Sequence, residues 1–588
     1  MNGQPKPAFF FVVLLVILSL VGYAFYRYQG SNTGANNPSY TPGSSNSPSS
    51  STPGTDSSPD SAGAGPEAAD TQSVATTVKE YSYVPSARLP DVKGVSNYTA
   101  LGEPRVVKMA LNVWAGWAPI VYANGGHKPS KLWKSADGKS FQVELVLLDD
   151  PVAMRDAFAA GQVHTGWSTV DMLPLMVQGL RKDSRVMPRV FQQIDWSNGG
   201  DGIVVRQNIK SASDLEGKKI VLAQNSPSHF FLLNTLINAG VSPNDVNMIF
   251  TNSAFEAAAA FNADKTISGV VSWAPDIYNL AEGKGNKMLV STQTANKLIA
   301  DVWFARADFA RDHPAIIESL VRGIFDGMIE LEDSTKKPVV AKLLANFYGI
   351  PEADALGMLA DAYPTNVAEN REFFLNQNNP TNFERTYNTA FAMYRKLSAI
   401  DPTRTGFDQL VDFSVLQKLL KEDKYAQQTS NYGVSFVPLS ASAIQSESDE
   451  ILTKTVVIQF FPNSFDLEKM IERQLSGKTI TEPYDPQVSF VVEEIARLAG
   501  QYGAARIVIE GHTDASMRGN VPESAVLELS QNRANAVKES IIRKFPTLQP
   551  NQFSVSGLGW KRPADANDVE NDAKNRRVEI KVYPLESQ

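Results

Sequence analysis

The chain has 588 residues, 55 basic and 63 acidic side chains, a net charge of −8 at pH 7 and no cysteine. That length is room for two or three domains. The charge balance, unbroken by any run of Lys and Arg, excludes a nucleic-acid binder, and the absence of thiols excludes disulfides, thiol catalysis and Cys-ligated zinc. His127, His164, His229, His313 and His512 lie far apart with no HxxxH pair, so no metal site is expected.

Ala8 to Tyr26, "AFFFVVLLVILSLVGYAFY", carries no charge over 19 residues, enough to cross a bilayer as a helix. Tyr23, Phe25, Tyr26 and Tyr28 gather at its C-terminal end as an interfacial belt would. A cleaved signal peptide has a shorter apolar region ending in small residues, whereas this one ends "FYRYQG". An uncleaved transmembrane anchor over residues 8–26 is therefore expected. Lys6 and Arg27 flank it almost symmetrically, so its orientation must follow from the domains beyond. Residues 30–77 are Ser, Gly, Asn, Pro and Thr with almost no large apolar side chain. Such a segment reads as a flexible tether.

From about residue 100 to 430 strands and helices alternate, the pattern of an α/β fold. "RVVKMALNVW" (105–114) and "FQVELVLL" (141–148) read as buried strands, and "DDPVAMRDAFAAG" (149–161) as a helix. "KKIVLA" (218–223) is a further strand running through the polar turn "QNSPSH" into the apolar helix "FFLLNTLINAG". A turn of that kind exposes unpaired N–H groups, a natural site for an anion or a carbonyl. Ser226 and Ser228 are placed either to cap this helix or to face a ligand. Trp114, Trp117, Trp167, Trp196 and Trp273 each stand beside a strand end or loop, where a large ring lines a cleft or fills core.

A polar stretch, "SASAIQSESDE" (440–450), divides the remainder, and a second α/β domain is expected over 450–585. "KTVVIQFF" (454–461), "RIVIEG" (506–511) and "RRVEIKV" (576–582) read as strands. Leu467, Met470, Ile471 and Leu475 fall at helical spacing, as do Val488, Val491, Val492, Ile495 and Leu498. The expected order is β-α-α-β-α-β-β, one sheet with helices on one face. Ser530 reads as the N-cap of a helix whose buried stripe is Ala534, Val537 and Ile541. Arg533 would then lie in the first turn and oppose the macrodipole by roughly 0.3–1 kcal/mol. Either an ion pair with Asp514 or another carboxylate offsets that, or a ligand carboxylate does. His512 has no serine or acid placed as a triad partner.

Two resemblances follow from these phrases. "LNVWAGWAPIVYANG" (111–125), "DGIVVR" (201–206), "DLEGKKIVLAQNSPSHFFL" (214–232) and "GVVSWAPDI" (269–277) resemble the periplasmic substrate-binding proteins of ABC importers, in the branch for nitrate, sulfonates or thiamine precursors. That resemblance implies two α/β lobes closing on a small anionic or heteroaromatic solute and an ABC permease as partner. It places Trp114, Trp117, Asn225, Ser226, Ser228, Trp273 and Asp276 at the cleft. "FFPNSFDLEKM", "IEGHTD", "LSQNRANAV", "SGLGWKRP" and "NRRVEI" are similar, in order, to the OmpA-like peptidoglycan-binding family. In that family the acid of the GHTD phrase and the arginine of the LSxxRA phrase bind diaminopimelate, which implies that role for Asp514 and Arg533. The 19-residue interval between them is longer than usual, and Val526 stands where Asn is common.

The combined expectation is an α/β, two-lobed periplasmic-binding-protein fold plus a C-terminal OmpA-like α/β sandwich, preceded by one transmembrane helix. It is a single-pass inner-membrane protein, N-terminus in, with its bulk in the periplasm of a diderm bacterium. No cofactor, nucleic acid or catalytic step is expected. A cell-envelope sensor or scaffold that has lost transport is the alternative.

Overall fold

Runs of β-branched and apolar residues build two sheets in the first 430 residues. A computed structural model describes residues 74–588 except 476–477, 568–571 and 586–588. The anchor expected at 8–26 and the tether to residue 73 lie outside the described residues. Among the described residues no helix is long and apolar enough to cross a membrane. The end of the expected tether is docked: Thr77 donates its N–H and hydroxyl to Asp276, and Asn262 donates to the Val74 carbonyl.

The strands run β1 (Tyr83–Val84), β2 (Val106–Leu111), β3 (Trp133–Lys134), β4 (Ser140–Leu147), β5 (Thr165–Thr169) and β6 (Pro188–Ser197). Then come β7 (Asp201–Arg206), β8 (Lys219–Ala223), β9 (Asn247–Thr251), β10 (Gly269–Trp273), β11 (Asn286–Ser291), β12 (Ala300–Arg306) and β13 (Ala362–Pro364). The first lobe is a seven-stranded sheet ordered β13-β6-β12-β5-β2-β4-β3, and the second a six-stranded sheet ordered β1-β9-β8-β10-β7-β11. The chain passes from the second sheet (β1) to the first (β2) over residues 85–105, and after β2 it crosses between lobes at 198–200 and again at 292–299. β2, β4 and β5 are parallel, as are β8, β9 and their neighbour β10, so each sheet turns one set of strand ends and connecting loops toward the crossings. Ligands of open α/β sheets bind at such strand ends.

The C-terminal sheet is ordered β14 (Leu452–Val457), β19 (Arg577–Pro584), β17 (Ala505–His512), β18 (Phe553–Gly559). The helices Val488–Gln501 and Glu523–Lys544 supply apolar side chains to its core. Two expectations are corrected here. Residues 467–475 do not form a helix: β15 (Met470–Leu475) pairs antiparallel with β16 (Lys478–Pro483) in an exposed hairpin. β-branched Thr479, Ile480 and Thr481 give β15 a partner, and half-exposed Met470 shows that no helical stripe is buried there. Ser530 is not an N-cap, because the helix already begins at Glu523 behind Pro522. Proline sets the entry, and the following Ala, Leu and Glu carry the helix through a serine whose hydroxyl bonds the Leu527 carbonyl. The polar stretch near 445 is likewise ordered, as the helix Ala441–Glu447 capped by Ser440.

The two domains share one core. Phe230, Leu232, Leu233 and Leu236 of the helix Pro227–Asn238 belong to the same apolar cluster as Leu452, Val492, Leu498 and Tyr502. Hydrogen bonds join them at Ala212 N–H to the Ile451 carbonyl (2.8 Å), Lys297 N–H to Gln501 (3.2 Å) and Ala504 N–H to Thr294 (3.3 Å). The last two fall on the interlobe crossing at 292–299.

Candidate functional sites

At the strand ends of the first lobe, Trp114 Nε1 donates to Asp195 Oδ2 at 2.9 Å. Gly116 lets that carboxylate lie against the turn, since a Cβ there would meet Asp195 Oδ2 at 1.4 Å. Trp117 is fully buried and donates to Asn112 Oδ1 at 2.7 Å, so its ring is core. On the second lobe Asn225 has φ +58° and donates its amide to the Ala87 carbonyl at 3.2 Å. Ser226 occupies the N-cap position of the helix Pro227–Asn238, but its hydroxyl turns back to the Ala223 carbonyl rather than capping. Ser228 is buried with its hydroxyl unbonded. Trp273 packs edge-on against Phe255 and lies beside the buried Asp201 carboxyl, its cross-strand partner. Asp276 is buried, with one oxygen taken by Thr77, and burial raises its carboxyl.

Sequence reasoning missed the acids that surround these groups. Asp171, Asp195, Asp201 and Asp301 are at most 5% exposed, on strand ends and loops beside the two crossings. Burial pushes Asp171 and Asp195 up to about 7 and Asp201 up to about 6, and holds Asp301 well above the usual carboxylate range. Isolated aspartates inside apolar phrases ("TVDMLP", "QQIDWS", "IADVWF") were the available signal. The crossing at 198–200 is tied by Thr292 Oγ1, which accepts from the N–H groups of Gly199 (2.9 Å) and Asp201 (3.1 Å). Ser197 donates to Asp201 at 2.7 Å.

In the C-terminal domain Asp514 and Arg533 are both nearly buried and close enough to influence one another, but among the described residues they form no ion pair. Asp514 instead accepts from Ser516 and pairs with Arg576. Burial alone would raise its carboxyl; the Ser516 and Arg576 bonds outweigh that and hold it below its ordinary value. Arg533 is in the third turn of its helix, not the first, so the expected conflict with the macrodipole is absent. Its Nε donates to the Ser464 carbonyl at 3.2 Å and its guanidinium lies 4.8 Å from the Phe460 ring centre. Arg577 is buried against Glu579 (2.6 Å). His512 is buried at the end of β17, 3.7 Å from Glu579. Glu510, His512 and Glu579 could together approach a metal ion, but Arg577 and Lys581 already neutralise these acids.

Residues 142–334 match the family described as NMT1/THI5 like, and residues 474–577 match the OmpA family. The chain joins an NMT1/THI5-like domain to an OmpA-family domain. Its first half is similar to the taurine-binding periplasmic protein of Escherichia coli (strain K12), 28% identical over 218 residues, which is 36% of this chain and 65% of that protein. The OmpA-family region is similar to outer membrane porin F of Pseudomonas fluorescens, 34% identical over 92 residues, 16% of this chain and 26% of the porin. The chain thus spans less than two thirds of each relative's length. Among solved structures, the periplasmic aliphatic sulphonate binding protein SsuA from Escherichia coli aligns at 17% identity and TM-score 0.40, covering 52% of this chain and 96% of that one. The NMT1/THI5-like match contains the four buried aspartates and residues 225–228 and 273–276. The OmpA-family match contains Asp514, Arg533 and Arg576.

Proposed function

We propose that the chain is an envelope solute-binding protein whose OmpA-family domain holds it to peptidoglycan. The carrying observation is that a two-lobed domain, with polar and indole groups gathered at its crossings, shares one core with the wall-type domain. The solute is a small sulfonate or a related anion. Its negative end would meet the Ser228 hydroxyl, buried and unbonded in the first turn of the helix Pro227–Asn238, and Trp114 and Trp273 would flank its body. Binding, with no covalent chemistry, is the whole activity of this domain. An ABC permease is the partner if the protein serves import.

At the wall, the ammonium of diaminopimelate would replace the Arg576 guanidinium on Asp514, and its carboxylate would take Arg533 and the released Arg576. Full-length chain should sediment with diaminopimelate-containing sacculi. Arg533→Ala and Asp514→Asn should each weaken this by roughly tenfold to a hundredfold, the worth of one charge-assisted contact. Unchanged sedimentation of both variants removes the site.

From the sequence alone we further propose that residues 8–26 are a single inner-membrane span with the N-terminus inside. A reporter fused after residue 60 should be active only on the periplasmic side, and a mature N-terminus near residue 30 would refute the anchor.

A sensor or scaffold is the second reading, favoured by the hydrogen bonds from the OmpA-family domain to Thr294 and Lys297 on an interlobe crossing. A solute that changes sacculus affinity supports it; a solute without that effect supports import.

A further inference from the structure

The OmpA-family domain is fixed to the second lobe by more than its apolar core. Asn234 of the helix Pro227–Asn238 donates its amide to Gln501 Oε1 at 3.2 Å, and the Thr235 and Tyr502 hydroxyls lie 3.3 Å apart. Lys454 donates to Asn238 Oδ1 at 3.4 Å. Asn234, Thr235, Asn238, Gln501 and Tyr502 are all buried. Close-packed side chains with paired polar groups hold one geometry, so this domain and the second lobe move as one piece.

The helix Val488–Gln501 also reaches the first lobe. There the helix Phe383–Lys396 sets Phe383 and Tyr387 in the first lobe's core. Beside them Arg385 pairs with Glu493, and its guanidinium lies 5.2 Å from the ring centre of Phe545. Gly500 packs so closely on Pro380 and Thr381 that a Cβ would meet both side chains at 2.9 Å. The same domain holds the crossing at 292–299 through the backbone bonds at Thr294 and Lys297, and a Cβ on Gly503 would meet Asn296 Oδ1 at 2.6 Å. Hinge motion works by changing φ and ψ in a few connecting residues of this kind. Here those residues are tied to a domain that belongs mechanically to the second lobe. Rotation of the first lobe must therefore also break its contact at Pro380, Thr381 and Arg385.

We propose that the OmpA-family domain clamps the two lobes at one angle, and that the first lobe rotates only when its contact with Glu493 and Gly500 is released. The consequence for solute capture rests on the solute-binding reading above: closure of the lobes on a solute is gated by the wall-type domain.

The chain has no cysteine, so Lys342→Cys on the first lobe and Lys284→Cys on the second, both exposed, can each carry one nitroxide. Double electron–electron resonance then reads the interlobe distance in the full-length chain, with neither solute nor sacculi present. The doubly labelled chain should show one narrow population. Adding Arg385→Glu, or Gly500→Leu, should bring in a second, shifted population, and combining Arg385→Glu with Glu493→Arg should restore the single one. Melts check that each variant folds, and Arg385→Glu, at a partly exposed side chain, keeps the test decisive if Gly500→Leu does not fold. Several populations in the labelled chain without further changes, or one unshifted population in every variant, overturns the clamp. A shift in Arg385→Glu that the paired exchange does not reverse overturns it too. Because no ligand enters the measurement, its outcome is independent of solute titrations, whose failure would remove the solute-binding reading and leave the clamp standing.

Discussion

Asp171→Asn is expected to stabilise the ligand-free protein, and only at higher pH. In the folded chain this carboxyl keeps its proton to about pH 7, chiefly through burial, with Asp201 adding repulsion; its ordinary value is 3.8. Between those values the native state binds a proton that the unfolded state has released, so stability falls as pH rises through the window and is level above it. A proton retained over about three pH units corresponds to on the order of 4 kcal/mol, at about 1.4 kcal/mol per unit. Asparagine is nearly isosteric, has no proton to lose and resembles the protonated acid. The groups facing this position, Asp201, Asp301 and the Tyr394 hydroxyl, offer no positive charge that an ionised Asp171 could use. Denaturant unfolding from pH 4 to 8 should therefore show variant and wild type together near pH 4. They should then diverge, the variant leading by on the order of 4 kcal/mol at pH 8. A difference that does not depend on pH, or a variant less stable at pH 8, would refute the reasoning.

Trp117→Ala should lower the stability of the ligand-free chain by about 3–5 kcal/mol, because a fully buried indole leaves a cavity; an unchanged apo melt would return this ring to the cleft. Tyr502→Ala removes a fully buried ring of the shared core whose hydroxyl lies 3.3 Å from Thr235 Oγ1. It should cost about 3–5 kcal/mol and split one calorimetric transition into two, whereas two transitions already present in wild type would show that the domains unfold independently.

Local sequence determined what depends on nearest neighbours along the chain. The β-branched runs became β2, β4, β8, β10, β17 and β19, and the apolar stripe from Val488 to Leu498 became a helix. Phrases spaced along the chain also carried both domain resemblances. Where a local signal was ambiguous, tertiary structure decided. Residues 470–475 suit either period, and pairing with Thr479–Thr481 chose the strand. Ser530 suits a cap or a helix interior, and Pro522 upstream with Gly559 N–H bonding its hydroxyl chose the interior. The sequence signalled the charge of the site only through single aspartates set inside apolar phrases. Asp171, Asp195, Asp201 and Asp301 are up to 130 residues apart, and each alone reads as an ordinary loop acid. Two crossings of the chain bring them together out of water with no cation beside them among the described residues. Burial and mutual repulsion are properties of that assembly and of no residue by itself.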